Sequence, residues 1–353
     1  MKTKFIYLLD IILNVFFSKK YQLIYIVESA DWSIRWDGKY ITKNINESTP
    51  IKSRISTTSI GLRKKIIHFG SVNTFISENG IKNIHKSNKI VLTWFHVSPN
   101  DPRVKFIPEL NKKIDIAHTS CTTTKAKLIN FGLSEEKITV VPLGVDLDLF
   151  KPAIDNDARK KVRKEHNIPE NKILIGSFQK DGVGWSDGNV PKLIKGPDIF
   201  CDVIEKIATK FPLHILLTGP ARGYVINRLD KANIAFNHIF FKKYTDIVHF
   251  YQILDYYLIC SREEGGPKAL LESMACGIPV ISTPVGMVPD VVINGFNGYV
   301  VGNDDIENKI IDIIENNNNQ KVIENAFGDI KQYDWKIIAK RYYTELYEKI
   351  LSS

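Results

Sequence analysis

Two acids, Glu264 and Glu272, stand with seven residues between them in the stretch SREEGGPKALLESMACG. Gly265 and Gly266 follow the first acid, and Pro267 leads into the strong helix former ALLESMA. The glycines let the backbone come close to a ligand. Proline suits a first helical turn, where its missing N–H costs nothing. A helix start there offers N–H groups and a partial positive charge, which suit phosphate. One carboxylate in the loop and one more than a turn into the helix can accept hydrogen bonds from two separate sets of hydroxyls, one on a sugar and one on a ribose. A second stretch, QKDGVGWSDGNVPKLIKGPDIF, repeats the punctuation: Gly196 and Pro197 open a helix, Lys195 stands directly before it, and Lys180 stands near the start. Two helix starts and two lysines brought together would hold a diphosphate dianion and stabilise its departure as a leaving group.

Bringing them together falls to the elements between. Strand-like apolar runs alternate with amphipathic stretches along nearly the whole chain: QLIYIVE, KKIIHFG, KIVLTWFHV, IDIAHTSC and KITVVPLG, then KILIGSF, LHILLTG, HIFF, YYLICS, PVISTP and GYVV. That alternation predicts parallel sheets covered on both faces. In a doubly wound sheet of order 3-2-1-4-5, strands one and four of the second half, KILIGSF and YYLICS, are neighbours, and ligands bind at their carboxyl ends. The loops that follow these two strands are the two stretches above. The alternation breaks at the polar segment LFKPAIDNDARKKVRKEHNIPENK, which sets a domain boundary near residue 150. The reading is a first domain over 1–150, a second over 151–332, and a final amphipathic helix over 333–353. The asparagine run Asn316–Asn319 reads as a surface loop or helix junction.

The 353 residues exceed what one core usually holds, so two domains are the default. Hydrophobic content of 44% and charged content of 25% are those of a soluble globular protein. The net charge of +9, from 48 Lys+Arg against 39 Asp+Glu, admits an anionic partner. The lysines are nevertheless spread along the chain with no aromatic-laced basic block, which argues against nucleic acid. Four widely spaced cysteines with no C-x-x-C pair argue against a disulfide framework or structural zinc and for a reducing, cytoplasmic setting. Near the amino terminus the apolar run from Phe5 to Phe17 is too short to span a bilayer and is broken by Asp10 and Asn14. It reads either as an interfacial helix edged by Lys19 and Lys20, giving peripheral contact with the inner face of the membrane, or as a helix packed on the protein itself. Asp146 and Asp148 form a D-x-D at the domain junction, where a turn is expected and a metal is not. The chain carries no H-E-x-x-H, G-x-S-x-G or Walker loop.

EEGGPKALLESMACGIPVIST resembles the signature of glycosyltransferase family four, retaining enzymes of GT-B fold, in which two glutamates are separated by seven residues. Ala275, Gly277, Pro279 and Val280 match the tail of that signature. KITVVPLGVDLDLFKP, LIKGPDIF and PVGMVPDVVINGFNGYVV extend the similarity over about residues 114–302, while it is weak before residue 90. The resemblance implies an α/β protein with two Rossmann-like doubly wound parallel-sheet domains facing across a cleft, and a last helix packing back on the first. It implies a hexosyltransferase-type enzyme moving a sugar from a nucleotide diphosphosugar to a sugar, glycan or glycolipid acceptor, in bacterial surface polysaccharide or glycolipid synthesis. No cofactor and no metal are expected. Glu272 would bind the ribose, Glu264 the transferred sugar and Lys195 the diphosphate, with the backbone at Gly265 and Gly266 seating the donor. His96, at the end of KIVLTWFH, would face the donor sugar. Two departures stand out. The family's arginine after the first strand of this domain is missing, with Lys180 the nearest substitute, and Pro267 removes an N–H from the glutamate loop. The insertion DGVGWSDGNVPKL is longer than the family's loop. A sugar-nucleotide epimerase and a non-catalytic subunit of the same fold remain open as alternatives.

Overall fold

The structure is a computed structural model that describes residues 2–30, 33–77, 80–241, 243–302, 305–316 and 319–352. The chain divides into two compact units, residues 1–144 with 333–353, and residues 145–332.

The first unit opens with helix α1 (Lys2–Phe16) and holds a second helix, α2 (Ser33–Ser48). Its sheet comprises β1 (Leu23–Ile26), β2 (Ser53–Ser56), β3 (Ile66–Phe69), β4 (Lys89–Thr93), β5 (Ile116–Thr119) and β6 (Ile138–Val140). The strands are parallel in the order β2-β1-β3-β4-β5-β6. Five of them are apolar runs legible in the sequence. The sixth, β2, has the sequence SRIS and a single apolar residue. It exists because it is an edge strand whose polar groups find partners: Ser53 Oγ donates to the Thr42 carbonyl at 3.1 Å, and Ser53 N donates to Asn46 on α2.

The second unit carries β7 (Ile173–Phe178), β8 (Leu213–Thr218), β9 (Phe236–Ile239), β10 (Tyr256–Ile259), β11 (Val280–Ser282) and β12 (Tyr299–Val300). Its order is β9-β8-β7-β10-β11-β12, all parallel, which is 3-2-1-4-5-6 within the unit. β7 and β10 are therefore central neighbours, as the doubly wound reading requires. Among the helices that follow strands of this sheet are α3 (Pro197–Ala208) after β7, α4 (Gly223–Lys231) after β8 and α5 (Lys268–Ala275) after β10. The apolar faces of α3 and α4 pack Phe200, Ile204, Ile207, Val225 and Leu229 onto buried residues of the strands. The asparagine run joins two helices, Ile306–Asn316 and Asn319–Ile330, and residues 317 and 318 lie outside the described residues. All four cysteines are buried thiols without a disulfide. Asp146 closes a local turn, its side chain accepting from the N–H groups of Asp148 and Leu149 at 3.1 and 3.3 Å.

Helix α6 (Trp335–Tyr342) belongs to the first unit. Trp335 stacks on Tyr40 of α2 with centroids 5.7 Å apart. Further on, Tyr347 starts a buried chain of hydrogen bonds that is fixed in direction from its far end. His118 Nε2 lies 2.8 Å from the Val141 carbonyl, which only accepts, so that nitrogen carries the proton and Nδ1 accepts from Thr93 Oγ1 at 2.9 Å. The Thr93 proton is then used, so His68 Nε2 donates to Thr93 at 2.7 Å and His68 Nδ1 accepts from the Tyr347 hydroxyl at 2.6 Å. Both imidazoles are neutral in this chain. Burial drives His68 well below the usual imidazole range, with the neighbouring His118 adding to it, and drives His118 down to about 4. The unfolded chain takes up protons below about pH 6.5 that the folded chain refuses, so stability is full above that pH and is lost as pH falls through it toward 4. The melting temperature should therefore drop between about pH 7 and pH 5, with a shallower slope in His118→Gln; a flat profile for the unaltered chain would contradict the neutral pair.

Candidate functional site

The site starts from one backbone crossing. After β7 the chain makes a short turn, Leu193–Lys195, closed by Lys195 N donating to Lys192 O at 2.8 Å and Gly196 N donating to Leu193 O at 3.0 Å. Gly196 is left-handed, at φ +62°, and a Cβ there would lie 1.8 Å from the carbonyl oxygen of Cys260 at the end of β10. Only glycine fits a position that is both left-handed and pressed against backbone. Beside it the Ile194 carbonyl accepts from the N–H groups of Arg262 and Glu263 at 2.9 and 3.1 Å. Arg262 also grips Asp198, in the first turn of α3, through two bonds of 2.7 and 2.6 Å. The loops after β7 and β10 are thus sewn together at the carboxyl edge of the sheet.

This join brings Lys195 to Glu264. Lys195 Nζ lies 2.5 Å from Glu264 Oε1, and the same oxygen accepts from Ser261 Oγ at 3.1 Å. A third loop supports the pair from below: Thr283 Oγ1 donates to the Ser261 carbonyl at 2.6 Å, and Gly286, at φ +53°, would place a Cβ 2.3 Å from the Gly265 carbonyl. Gly265 and Gly266 lie between Glu264 and α5, as expected. Pro267 does not occupy the first helical turn. It is the N-cap, with ψ of 105°, and the helix proper begins at Lys268.

Glu272 lies inside α5 and is 4% exposed. The sequence reading has it facing ligand hydroxyls, whereas the structure already gives each oxygen a phenol: Tyr244 donates to Oε1, and Tyr251 donates to Oε2 at 2.8 Å. Burial, and then the Glu272 charge, push the Tyr251 hydroxyl well above its usual range, so it stays a donor. Tyr251 packs on Phe178 at the end of β7 with centroids 4.8 Å apart, which places this acid at the same edge of the sheet. A carboxylate has about four lone-pair directions, so accepting two phenols leaves capacity for more.

Sequence reasoning missed Lys192. Its side chain is exposed, yet its ammonium is pushed below the usual lysine range, first by partial desolvation, then by Lys195, with Glu264 opposing and Lys180 adding to the push. Three lysines therefore share a neighbourhood with one carboxylate. The signal was present, because Lys192 and Lys195 flank one short turn. The insertion between them and β7 is a hairpin: Gly182 pairs with Pro191, and Val183 N donates to Val190 O at 2.9 Å. The hairpin docks on the start of α4, where Gly223 N and Tyr224 N donate to the carbonyls of Asp187 and Gly188 at 2.7 and 2.9 Å. Lys180 lies beyond the end of β7 with Nζ 3.7 Å from the centroid of Trp185. The arginine at this strand end is Arg222, from the loop after β8. Fully buried, it donates to the carbonyls of Ser177 and Thr218 at 2.6 and 3.0 Å and pairs with Asp181 at 3.0 Å, a structural clamp rather than a ligand group. His96 belongs to the first unit, exposed in the loop after β4, with its carbonyl accepting from Trp94 Nε1 at 3.1 Å.

Residues 188–328, which contain Lys195, Glu264 and Glu272, match the family model described as glycosyl transferases group 1. This stretch is similar to that glycosyltransferase family. The D-inositol 3-phosphate glycosyltransferase of Xylanimonas cellulosilytica is 28% identical over 187 residues, 50% of this chain and 42% of that protein. An uncharacterized glycosyltransferase of Methanocaldococcus jannaschii is 26% identical over 303 residues, 82% of this chain and 69% of that protein. The chain thus spans less than half the length of the first of these glycosyltransferases. Among solved structures, HepE from Anabaena in complex with UDP superposes with a TM-score of 0.72 at 15% identity, covering 94% of this chain and all of that one. That likeness shows the fold, which is GT-B.

Two substitutions test the geometry. Gly196→Ala forces the left-handed turn off the Cys260 carbonyl and should cost about 3 kcal/mol or more of stability in the second unit, read by denaturant unfolding. Lys192→Ala should leave the melting temperature unchanged or raised in scanning calorimetry, since it removes a cation crowded by Lys195 and Lys180.

Proposed function

We propose that the chain is a retaining, hexosyltransferase-type glycosyltransferase of family four that moves a sugar from a nucleotide diphosphosugar to an acceptor hydroxyl. The observation that carries this reading is the join of the two loops, which sets Lys195 and Glu264 side by side at the carboxyl edge of β7 and β10. That edge is where a doubly wound sheet takes its ligand. Lys195 and Lys192 supply positive charge where the nucleoside diphosphate departs, and Lys180 adds to it. Glu264 accepts from hydroxyls of the transferred sugar, and Glu272, held by Tyr244 and Tyr251, accepts from the ribose. The backbone at Gly265 and Gly266 seats the donor.

In the step itself the anomeric C–O bond to the diphosphate breaks as the acceptor oxygen bonds the same carbon from the same face. The acceptor proton passes to the departing phosphate oxygen, so configuration is retained with no enzyme base and no covalent intermediate. The lysines take the electrostatic part that a metal plays elsewhere, and the transfer is read as metal-independent. HepE is described in complexes with UDP and UDP-glucose, which supports a uridine donor. Relatives named for lipopolysaccharide core and capsular polysaccharide synthesis support a bacterial surface glycan or glycolipid acceptor.

The test is a thermal-shift panel of uridine, guanosine and adenosine diphosphosugars. One base should raise the melting temperature, and Glu272→Ala should remove the shift. With the matching donor, Lys195→Ala should lower kcat/KM about 100-fold or more, and chelating metals should leave the rate unchanged. No shift with any of the donors would overturn the proposal.

A further inference from the structure

Helix α1 is amphipathic the wrong way round for a core helix. Its mid-helix polar residues, Asp10 and Asn14, face the protein. Asn14 is fully buried, its Nδ2 donating to the carbonyls of Thr58 and Ile60 at 2.9 Å each, and its Oδ1 accepting from Arg54. Asp10 accepts from the Thr57 N–H and hydroxyl at 2.7 Å each and pairs with Arg54 at 3.4 Å. Gly61, at φ +86°, would place a Cβ 2.6 Å from Val15, so the helix lies close on its own unit. Asp10 and Asn14, which interrupt the apolar run in sequence, are the groups that dock it.

The apolar residues point outward. Phe5, Phe16 and Phe17 are 69%, 70% and 59% exposed, and Tyr7, Leu8, Leu9, Ile12, Val15 and the neighbouring Ile60 are exposed with them. Leaving that area in water forgoes burial free energy at about 25 cal/mol per Å², which a single helix fixed to its unit would recover by meeting a partner. The charge around the patch identifies the partner. Lys4, Lys19 and Lys20 are exposed at its two ends, and the only acid of the helix, Asp10, is turned inward onto Arg54. Pairing two copies of this face would set lysines against lysines with no acid to meet them. An anionic lipid surface accepts both the apolar face and the cations. No helix among the described residues is long and apolar enough to cross a membrane, so α1 would lie on it rather than span it.

We propose that α1 is a peripheral membrane anchor that lies in the headgroup region of an anionic bilayer, with Phe5, Leu8, Phe16 and Phe17 inserted and Lys4, Lys19 and Lys20 on the lipid charges. The anchor belongs to the first unit and is independent of the donor chemistry assigned to the second. The test uses the full chain and sedimentation with vesicles of phosphatidylcholine alone or mixed with phosphatidylglycerol. The chain should sediment with the mixed vesicles and far less with phosphatidylcholine, and added salt should weaken the binding. The double change Phe16→Ser with Phe17→Ser should lower the partition at least tenfold with no loss of melting temperature, because both rings are already in water. Lys19→Glu with Lys20→Glu should abolish the preference for the anionic lipid. An intact chain that stays in the supernatant with mixed vesicles overturns the proposal. So does equal sedimentation of the Phe16 and Phe17 variant. A concentration-dependent dimer lost in that variant, without vesicle binding, would assign the face to a second copy instead.

Discussion

The Ile194 carbonyl, accepting two backbone N–H groups from the loop after β10, is the contact on which the candidate site depends. It is possible only because Gly196 can turn left-handed against the Cys260 carbonyl. Side-chain pairs at a sheet edge are ordinarily weak and mobile, but backbone bonds at two adjacent donors fix register as well as proximity. Once the loops are joined, Lys195 has no distant arrangement open to it, and Glu264 is its nearest counterion.

The electrostatics follow from that constraint. Lys180, Lys192 and Lys195 share a neighbourhood with the single carboxylate of Glu264, so the cluster carries surplus positive charge. At Lys192 the proton affinity is lowered first by partial desolvation and then by the charges of Lys195 and Lys180. Arg222 contributes nothing to that surplus outward, because Asp181 and three carbonyls consume it inside the sheet. The arginine at this strand end is thus spent inside the sheet, and the cations left at the edge are the three lysines.

Much of this was legible in the residues. Continuous apolar strands gave the two parallel sheets, and the strand order of the second unit followed from the doubly wound rule. The Gly196-Pro197 start was readable because left-handed turns and helix starts leave strong local marks. Three things were hidden. β2 carries one apolar residue, and its stability comes from side chains of α2 rather than from its own pattern. The phenols on Glu272 come from Tyr244 and Tyr251, distant in sequence, and only tertiary packing brings them there. Asp10 and Asn14 looked like blemishes in an apolar run, when their buried partners make them the reason the helix sits where it does.

The most direct test of the joined-loop site is a crystal structure with UDP bound. The account predicts diphosphate oxygens within hydrogen-bonding distance of Lys195 Nζ, the ribose hydroxyls on the Glu272 carboxylate, and the Ile194 carbonyl still holding both N–H groups. Nucleotide bound elsewhere on the chain, with Lys195 and Glu264 untouched, would contradict it.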